Sequence, residues 1–312
     1  MLRQIWNGYR GWAKLARDMQ TSTQRWNVAA LCCVIAAAVF GAVASVAPDW
    51  SAWAAGAAGI ASALGAFLGR QILGAGDEAS WIQARAAAEG IKSECYRYAA
   101  RCGPYVVADA DAARALAART DAIAKQAIDK GLVRPNNPVP ASGDKREPPV
   151  PLTADWYKQG RLQDQIDYYA QACKKNQKVV DQLWWVAFAA GVAAVVFGGL
   201  GTWAQQFAPW IGAMTTIAAS IAAYGLIDRR KYLIGSYAAM QSSLEQILGL
   251  DKEVPMSIAD LVTATEDLLE GEHKAWLPQM LARQHQPQAQ QPQAEQPQAQ
   301  QPLAQQPTKQ DA

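Results

Sequence analysis

The sequence predicts an all-α integral membrane protein built from two transmembrane helical hairpins, with cytoplasmic helices around them. Three observations predict it. Residues 183–227 carry no charged side chain, over about twice the ~20 apolar residues that one membrane-crossing helix needs. Residues 28–47 and 50–69 form another uncharged pair, parted only by Pro48 and Asp49. Lysines and arginines flank both pairs and are missing from both hairpin loops. Globular helices rarely run this long without charge, which sets a buried soluble hairpin aside. The mean hydropathy of -0.11 averages these spans with charged helices and a polar tail, and so conceals them.

Taken in order, residues 1–27 place Trp6, Tyr9, Trp12, Leu15, Ala16, Met19 and Trp26 at helical spacings among Arg10, Lys14, Arg17 and Arg25, an aromatic face on a basic helix. The spans 28–47 and 50–69 follow. AVASVA before Pro48 resembles a signal-peptidase site, but the charged lead is long, the apolar run exceeds an h-region and a second span comes at once, so the span is expected to stay uncleaved. After GAGD, Ser80 with Gln83 reads as the capping box of a new helix, in which Arg85 and Glu89 stand four apart and can pair. Gly103-Pro104 ends it. An Ala-rich helix over 109–130 follows, with Leu116, Ile123 and Ile128 as its apolar stripe.

Residues 131–155 hold six prolines and read as a semi-extended, exposed linker. It divides a first two-span module, 1–130, from a second, 156–283, that repeats the first in outline. In the second module Tyr157, Arg161, Gln165 and Tyr168 share one face of an aromatic helix. The spans 183–203 and 209–227 come next, broken at Gly198, Gly199, Gly201 and Pro209. The last of them is expected to continue through Asp228 into a polar helix. Ser257 then caps an amphipathic helix carrying Ile258, Leu261, Val262, Leu268 and Leu269. Residues 284–312 are a Gln/Pro/Ala repeat that cannot bury apolar surface, and disorder is expected there.

The charges orient the spans. Arg10, Lys14, Arg17, Arg25 and Arg70 bracket the first hairpin, and Lys174, Lys175, Lys178, Arg229, Arg230 and Lys231 the second. The positive-inside rule then places both termini and the centre of the chain in the cytoplasm of a multi-pass inner-membrane protein.

Catalytic chemistry is poorly supplied. The five cysteines form no C-x-x-C pair, and the two histidines are His273 and His285, so neither a disulfide framework nor a metal site is expected. The chain holds no phosphate loop and no nucleophile elbow. Neither an enzyme nor a cofactor is expected, and a net charge of +2 does not point to direct nucleic-acid binding. Within the spans, Gly65 and Gly69 form a G-x-x-x-G, and Gly212, Thr216, Ser220 and Tyr224 repeat at four. Such residues either pack the hairpins internally or line a polar path between assembled copies. No charge in the spans marks an ion route, which argues against a coupled transporter.

WYKQGRLQDQIDYYAQACKKNQ before an apolar hairpin, DLVTATEDLLEGEHKAW near the end and WIQARAAAEGIKSECYRYAARCGPY after the first hairpin resemble the SLATT family, the two-transmembrane domains of bacterial conflict systems, one subtype in each half. The resemblance marks Tyr157, Arg161, Gln165 and Tyr168, then Trp81, Arg85 and Glu89, then Glu266, Glu272 and Trp276 as signature positions. It implies a membrane effector that assembles as a homo-oligomer, forms a pore or perturbs the lipid bilayer during phage invasion, and answers to a nucleotide-sensing or nucleotide-generating partner protein. The alternative is a membrane-anchored scaffold or sensor whose cytoplasmic helices bind a partner.

Overall fold

A computed structural model describes residues 1–73, 76–135, 144, 146–227 and 230–281. It is all-α, with no strand among the described residues. Helix α1 (Leu2–Val46) runs unbroken from the aromatic face through the first span. It stops because Pro48 follows: Ala47 takes extended backbone at φ -112°, ψ 94°, as the residue before a proline prefers. A 3₁₀ turn at Pro48–Trp50 leads to α2 (Ser51–Leu73), which returns along α1. Helix α3 (Gly76–Ala99) carries on beside the polar half of α1, and α4 (Asp109–Asp129) packs on α3.

The second half repeats this plan. Helix α5 (Ala154–Tyr157), a π-helical turn (Lys158–Leu162) and α6 (Gln163–Gly201) join into one rod of 48 residues, about 70 Å long. Thr153 caps it by accepting a hydrogen bond from the Trp156 N–H at 3.4 Å. Helix α7 (Ala208–Ile227) returns along the apolar part of α6, and α8 (Arg230–Glu253) along its polar part. Helix α9 (Ile258–Leu281) closes the polar bundle. Its cap is the expected one, since Ser257 Oγ accepts from the Asp260 N–H at 3.1 Å. Helix α1 also packs on α7, so the two hairpins lie side by side.

Four helical segments are long and apolar enough to cross a membrane. Their surfaces suit hydrocarbon. Val34, Phe40, Ile60, Leu64, Phe67, Phe188, Val195 and Leu200 are all exposed, a belt that water would penalise heavily. Exposed tryptophans border it: Trp26, Trp184 and Trp185 at one level, Trp50, Trp53 and Trp203 at the other. Trp26 to Val46 and Trp184 to Trp203 each span about 30 Å at 1.5 Å per residue, the thickness of a bilayer's hydrocarbon core. The chain is a multi-pass membrane protein. Inside the belt small residues set the contacts: Ala42, Ala54, Ala190, Ala194 and Ala213 are buried. A Cβ on Gly65 would stand 3.4 Å from Cys33 Cβ, so α1 and α2 approach closely there; one on Gly69 would meet nothing within 4 Å.

The main core of the polar bundle draws on both halves, including Trp6, Tyr9 and Trp12 of α1, Tyr96 of α3, Tyr157 and Tyr169 of the α5–α6 rod, and Leu261 and Val262 of α9, and a smaller cluster of Tyr105, Ala112 and Leu116 lies beside α4.

Several expectations need correction. The proline-rich segment 131–155 is not a free linker in its described part. Leu132 and Leu152 are buried, the Leu152 N–H donates to Ala99 O at 3.2 Å, and Tyr96 OH donates to Arg146 O at 2.9 Å. Trp6 Nε1 donates to Asp144 Oδ2 at 3.1 Å. The segment docks on the first half because its backbone and the Asp144 carboxylate supply partners that buried aromatics and a helix end require. Helix α3 begins at Gly76, so Ser80 lies within it rather than capping it. On α4 the buried file is Ala112, Leu116, Thr120, Ala124 and Ala127, while Ile128 is exposed. Asp228 and the tail 284–312 lie outside the described residues.

Candidate functional site

The polar bundle is locked by an ion pair deep in its core. Arg161 sits in the π-helical turn and Glu266 on α9; their relative exposures are 2% and 0%. Arg161 Nε donates to Glu266 Oε1 at 2.9 Å and its Nη2 to Oε2 at 3.1 Å, the fork geometry that makes arginine–carboxylate pairs strong. Tyr157 OH donates to the same Oε1 at 2.9 Å. The guanidinium stands over the Tyr96 ring, 4.9 Å from its centroid, a cation–π contact in a desolvated setting. Arg161 Nη1 makes no hydrogen bond. Burial pushes the Glu266 carboxyl up, but the Arg161 charge and the hydrogen bonds from Arg161 and Tyr157 outweigh it, leaving it below its ordinary value.

That direction sets a pH dependence. A carboxyl depressed in the folded state contributes stability above its unfolded value and loses it as pH falls through the folded one. The full chain in detergent is therefore expected to lose thermal stability on acidification below the usual glutamate range, and more steeply than a Glu266→Gln variant. Parallel melting curves from pH 7 to pH 3 check this; equal slopes would remove Glu266 from the account.

Further polar contacts tie α3 to α9 and α4. Arg97 Nη2 reaches Asp267 Oδ1 at 2.7 Å and Glu270 Oε2 at 3.0 Å. Buried Glu94 accepts two bonds at 2.9 Å from Arg119 and one from Tyr105 OH. Lys158 Nζ lies 2.5 Å from Asp251 Oδ2 of α8.

Beside this lock, a cleft of about 480 Å³ opens between α1, α3 and the α5–α6 rod. Trp81, Arg85 and Glu89 of the first half meet Gln165 and Tyr168 of the second there, with Tyr9, Lys92 and Arg146 also lining it. Arg85 Nη2 donates to Tyr168 OH at 3.1 Å across the halves. The signature positions thus fall into two groups: Tyr157, Arg161 and Glu266 in the lock, and Trp81, Arg85, Glu89, Gln165 and Tyr168 around the cleft. Glu272 accepts from Tyr169 OH at 2.7 Å. The Trp276 side chain lies outside the described residues.

The buried file on the rod is Tyr157, Arg161, Gln165 and Tyr169, while Tyr168 is 42% exposed. A spacing of four drifts by about 40° per step in a 3.6-residue helix. The wider π turn offsets that drift, so the file stays aligned and ends on Tyr169. Sequence reasoning also passed over Lys92 and Tyr96, although Trp81, Arg85, Glu89, Lys92 and Tyr96 continue one helical file. Lys92 is 4% exposed, with Glu89 Oε2 at 3.7 Å and the Tyr9 ring centroid at 5.6 Å. Burial first, and then Arg161, push its ammonium down to about 8.

In the spans, Gly212 and Thr216 are exposed, while Ser220 and Tyr224 are half-buried at the edge of the face that carries buried Ala213 and Ile221. Ser220 Oγ donates back to Thr216 O at 2.7 Å. The stripe therefore runs along the border between the packed and open faces of α7. Gly65 lies in the α1–α2 contact.

Residues 157–276 match the family model of the SMODS and SLOG-associating 2TM effector domain 1. Residues 10–112 match a different model, described as Protein of unknown function (DUF4231). Searches of curated proteins and of solved structures return no match.

Proposed function

We propose, from the premise that residues 157–276 form a SMODS- and SLOG-associating two-transmembrane effector domain, that this chain is a membrane effector of a bacterial conflict system acting against phage. Several copies assemble through the spans and open a pore or disturb the bilayer, and the bundle, in the cytoplasm of an inner-membrane protein, sets when they do so. The first half acts as a second, divergent module of the same kind. Its succession of long helix, hairpin and returning polar helix parallels the second half, although its family model differs.

One observation carries the reading: the polar stripe of α7 reaches the open face of an uncharged helix, where Thr216 and Gly212 are exposed. Four spans enclose little water by themselves, so such a stripe has a use when a second copy covers it. The lock supports control from the bundle, because Arg161 belongs to the same uninterrupted rod that becomes the α6 span. A partner that senses or generates nucleotides would act by displacing that rod.

The test is membrane potential and dye entry in a bacterium after induced expression of the full chain, beside a version whose second hairpin is exchanged for unrelated spans of equal length. Depolarisation by the natural chain and none by the exchanged one is expected. A potential unmoved by either chain at high membrane expression, even with the activating partner present, would leave the membrane-anchored scaffold as the better reading.

A further inference from the structure

The cleft between α1, α3 and the α5–α6 rod has a composition that its packing role does not require. Four cationic side chains line it, Arg17, Arg85, Lys92 and Arg146, against three carboxylates, Glu89, Asp164 and Asp167. The carboxylates are already engaged: Glu89 lies 3.7 Å from Lys92, and Asp164 and Asp167 accept side-chain amide bonds from Gln165 and Gln163. The Arg85 guanidinium hydrogen-bonds the tyrosine hydroxyls of Tyr168 and Tyr237. Lys92 is buried, with the charges of Glu89, at 3.7 Å, and Glu266 opposed by those of Arg161 and Arg146. A buried ammonium that faces two other cations costs stability, and an oxyanion reaching it from the cleft would offset that cost.

The two ends of the cleft differ. Trp81 and Lys92 are eleven positions apart on α3, about 16 Å along its axis. One end offers Trp81 and the exposed Tyr168 ring, and the other Lys92 and Arg146. The volume of about 480 Å³ lies within the range of small-molecule sites. Lipid headgroups are badly placed to fill it. Trp26 marks the membrane edge on α1 and Tyr9 the deep end of the cleft, 17 positions away, or about 25 Å into the aqueous side.

We infer that this cleft binds a soluble phosphate ester with a flat organic body, its phosphoryl group between Lys92 and Arg146 and its body against Trp81 and Tyr168. This deepens the effector reading, on which it rests for its consequence: a ligand seated between α1, α3 and the rod bears on the rod at Gln165 and Tyr168, one turn beyond the lock.

The experiment measures binding to the full chain in detergent, with no permeability readout, so its outcome is separate from that of the pore. Adenosine 5′-monophosphate, ribose 5-phosphate, adenosine and the short-chain lipid dihexanoylphosphatidic acid are each titrated while thermal stability and tryptophan fluorescence are followed. Adenosine 5′-monophosphate is expected to stabilise the chain and to bind at least tenfold more tightly than ribose 5-phosphate or adenosine. Lys92→Met with Arg146→Gln is expected to weaken it tenfold or more while the unliganded melting temperature holds or rises. Because a double variant can fail to fold, Arg146→Gln alone, at an exposed position, is measured beside it and is expected to weaken binding severalfold. No binding of the nucleotide to the natural chain, equal binding to Arg146→Gln, or saturation by the lipid alone would each overturn the assignment.

Discussion

Glu266→Gln is expected to destabilise the polar bundle by about 3–5 kcal/mol, the usual cost of leaving one member of a buried ion pair without its partner. In thermal unfolding of the detergent-solubilised chain this corresponds to a fall on the order of 10 °C. The size follows from the surroundings of Arg161. The guanidinium is 2% exposed and its fork is filled by one carboxylate. A glutamine keeps one acceptor and loses the charge. The complementary variant separates the ion pair from shape. Arg161→Met, Glu266→Leu and Tyr157→Phe together replace the charged group with apolar side chains of similar volume, and are expected to recover most of the lost stability. A Glu266→Gln chain that melts with the natural protein would show that the lock holds nothing. If the lock restrains the rod, the single variant is also expected to depolarise cells at lower expression than the natural chain, whereas the triple variant, stable again, is not.

What could be read from the sequence depended on the solvent each part meets. Hydrocarbon leaves a compositional mark: Leu183 to Ile227 lacks charge along its whole length, and no arrangement of neighbours is needed to interpret it. The polar bundle gives no such mark. Arg161 and Glu266 are 105 positions apart, and each alone looks like a solvated residue on an amphipathic helix. Their pairing was visible only as two signature positions of a family resemblance. The docking of 131–155 was missed because its partners are remote in sequence, Tyr96 and Ala99 for its backbone and Arg3 and Trp6 for the Glu147 and Asp144 side chains, and proline content says nothing about docking. Tyr169 was passed over for Tyr168 because a regular helix was assumed, and the π turn at Lys158–Leu162 changes the phase of everything after it. Lys92 escaped notice because the aromatic ring beside it, that of Tyr9, comes from α1, more than eighty positions earlier in the chain.

Thr216→Leu combined with Ser220→Leu is expected to abolish depolarisation, a loss of tenfold or more, without lowering the amount of protein in the membrane. The asymmetry of α7 makes the pair selective. Ala213 and Ile221 hold the helix against its neighbours, and the double replacement leaves both in place. Leucine suits a lipid-facing position at least as well as threonine or serine, and the Ser220 hydroxyl gives up only a bond to its own helix, at Thr216 O. The single copy therefore folds and inserts as before, and what is removed is the polar edge available to a second copy. Thr215→Leu is the matched control: Thr215 is exposed on the same helix and bonds back to Ile211 O at 2.9 Å, but it lies off the stripe, so that variant is expected to depolarise like the natural chain. Loss in both variants would point to a general effect of added bulk, and loss in neither would detach the stripe from conduction. Loss confined to the double variant, together with smaller cross-linked species in the membrane, would make the stripe the seam between copies, since an edge that served only the packing of one chain has no reason to change how many chains associate.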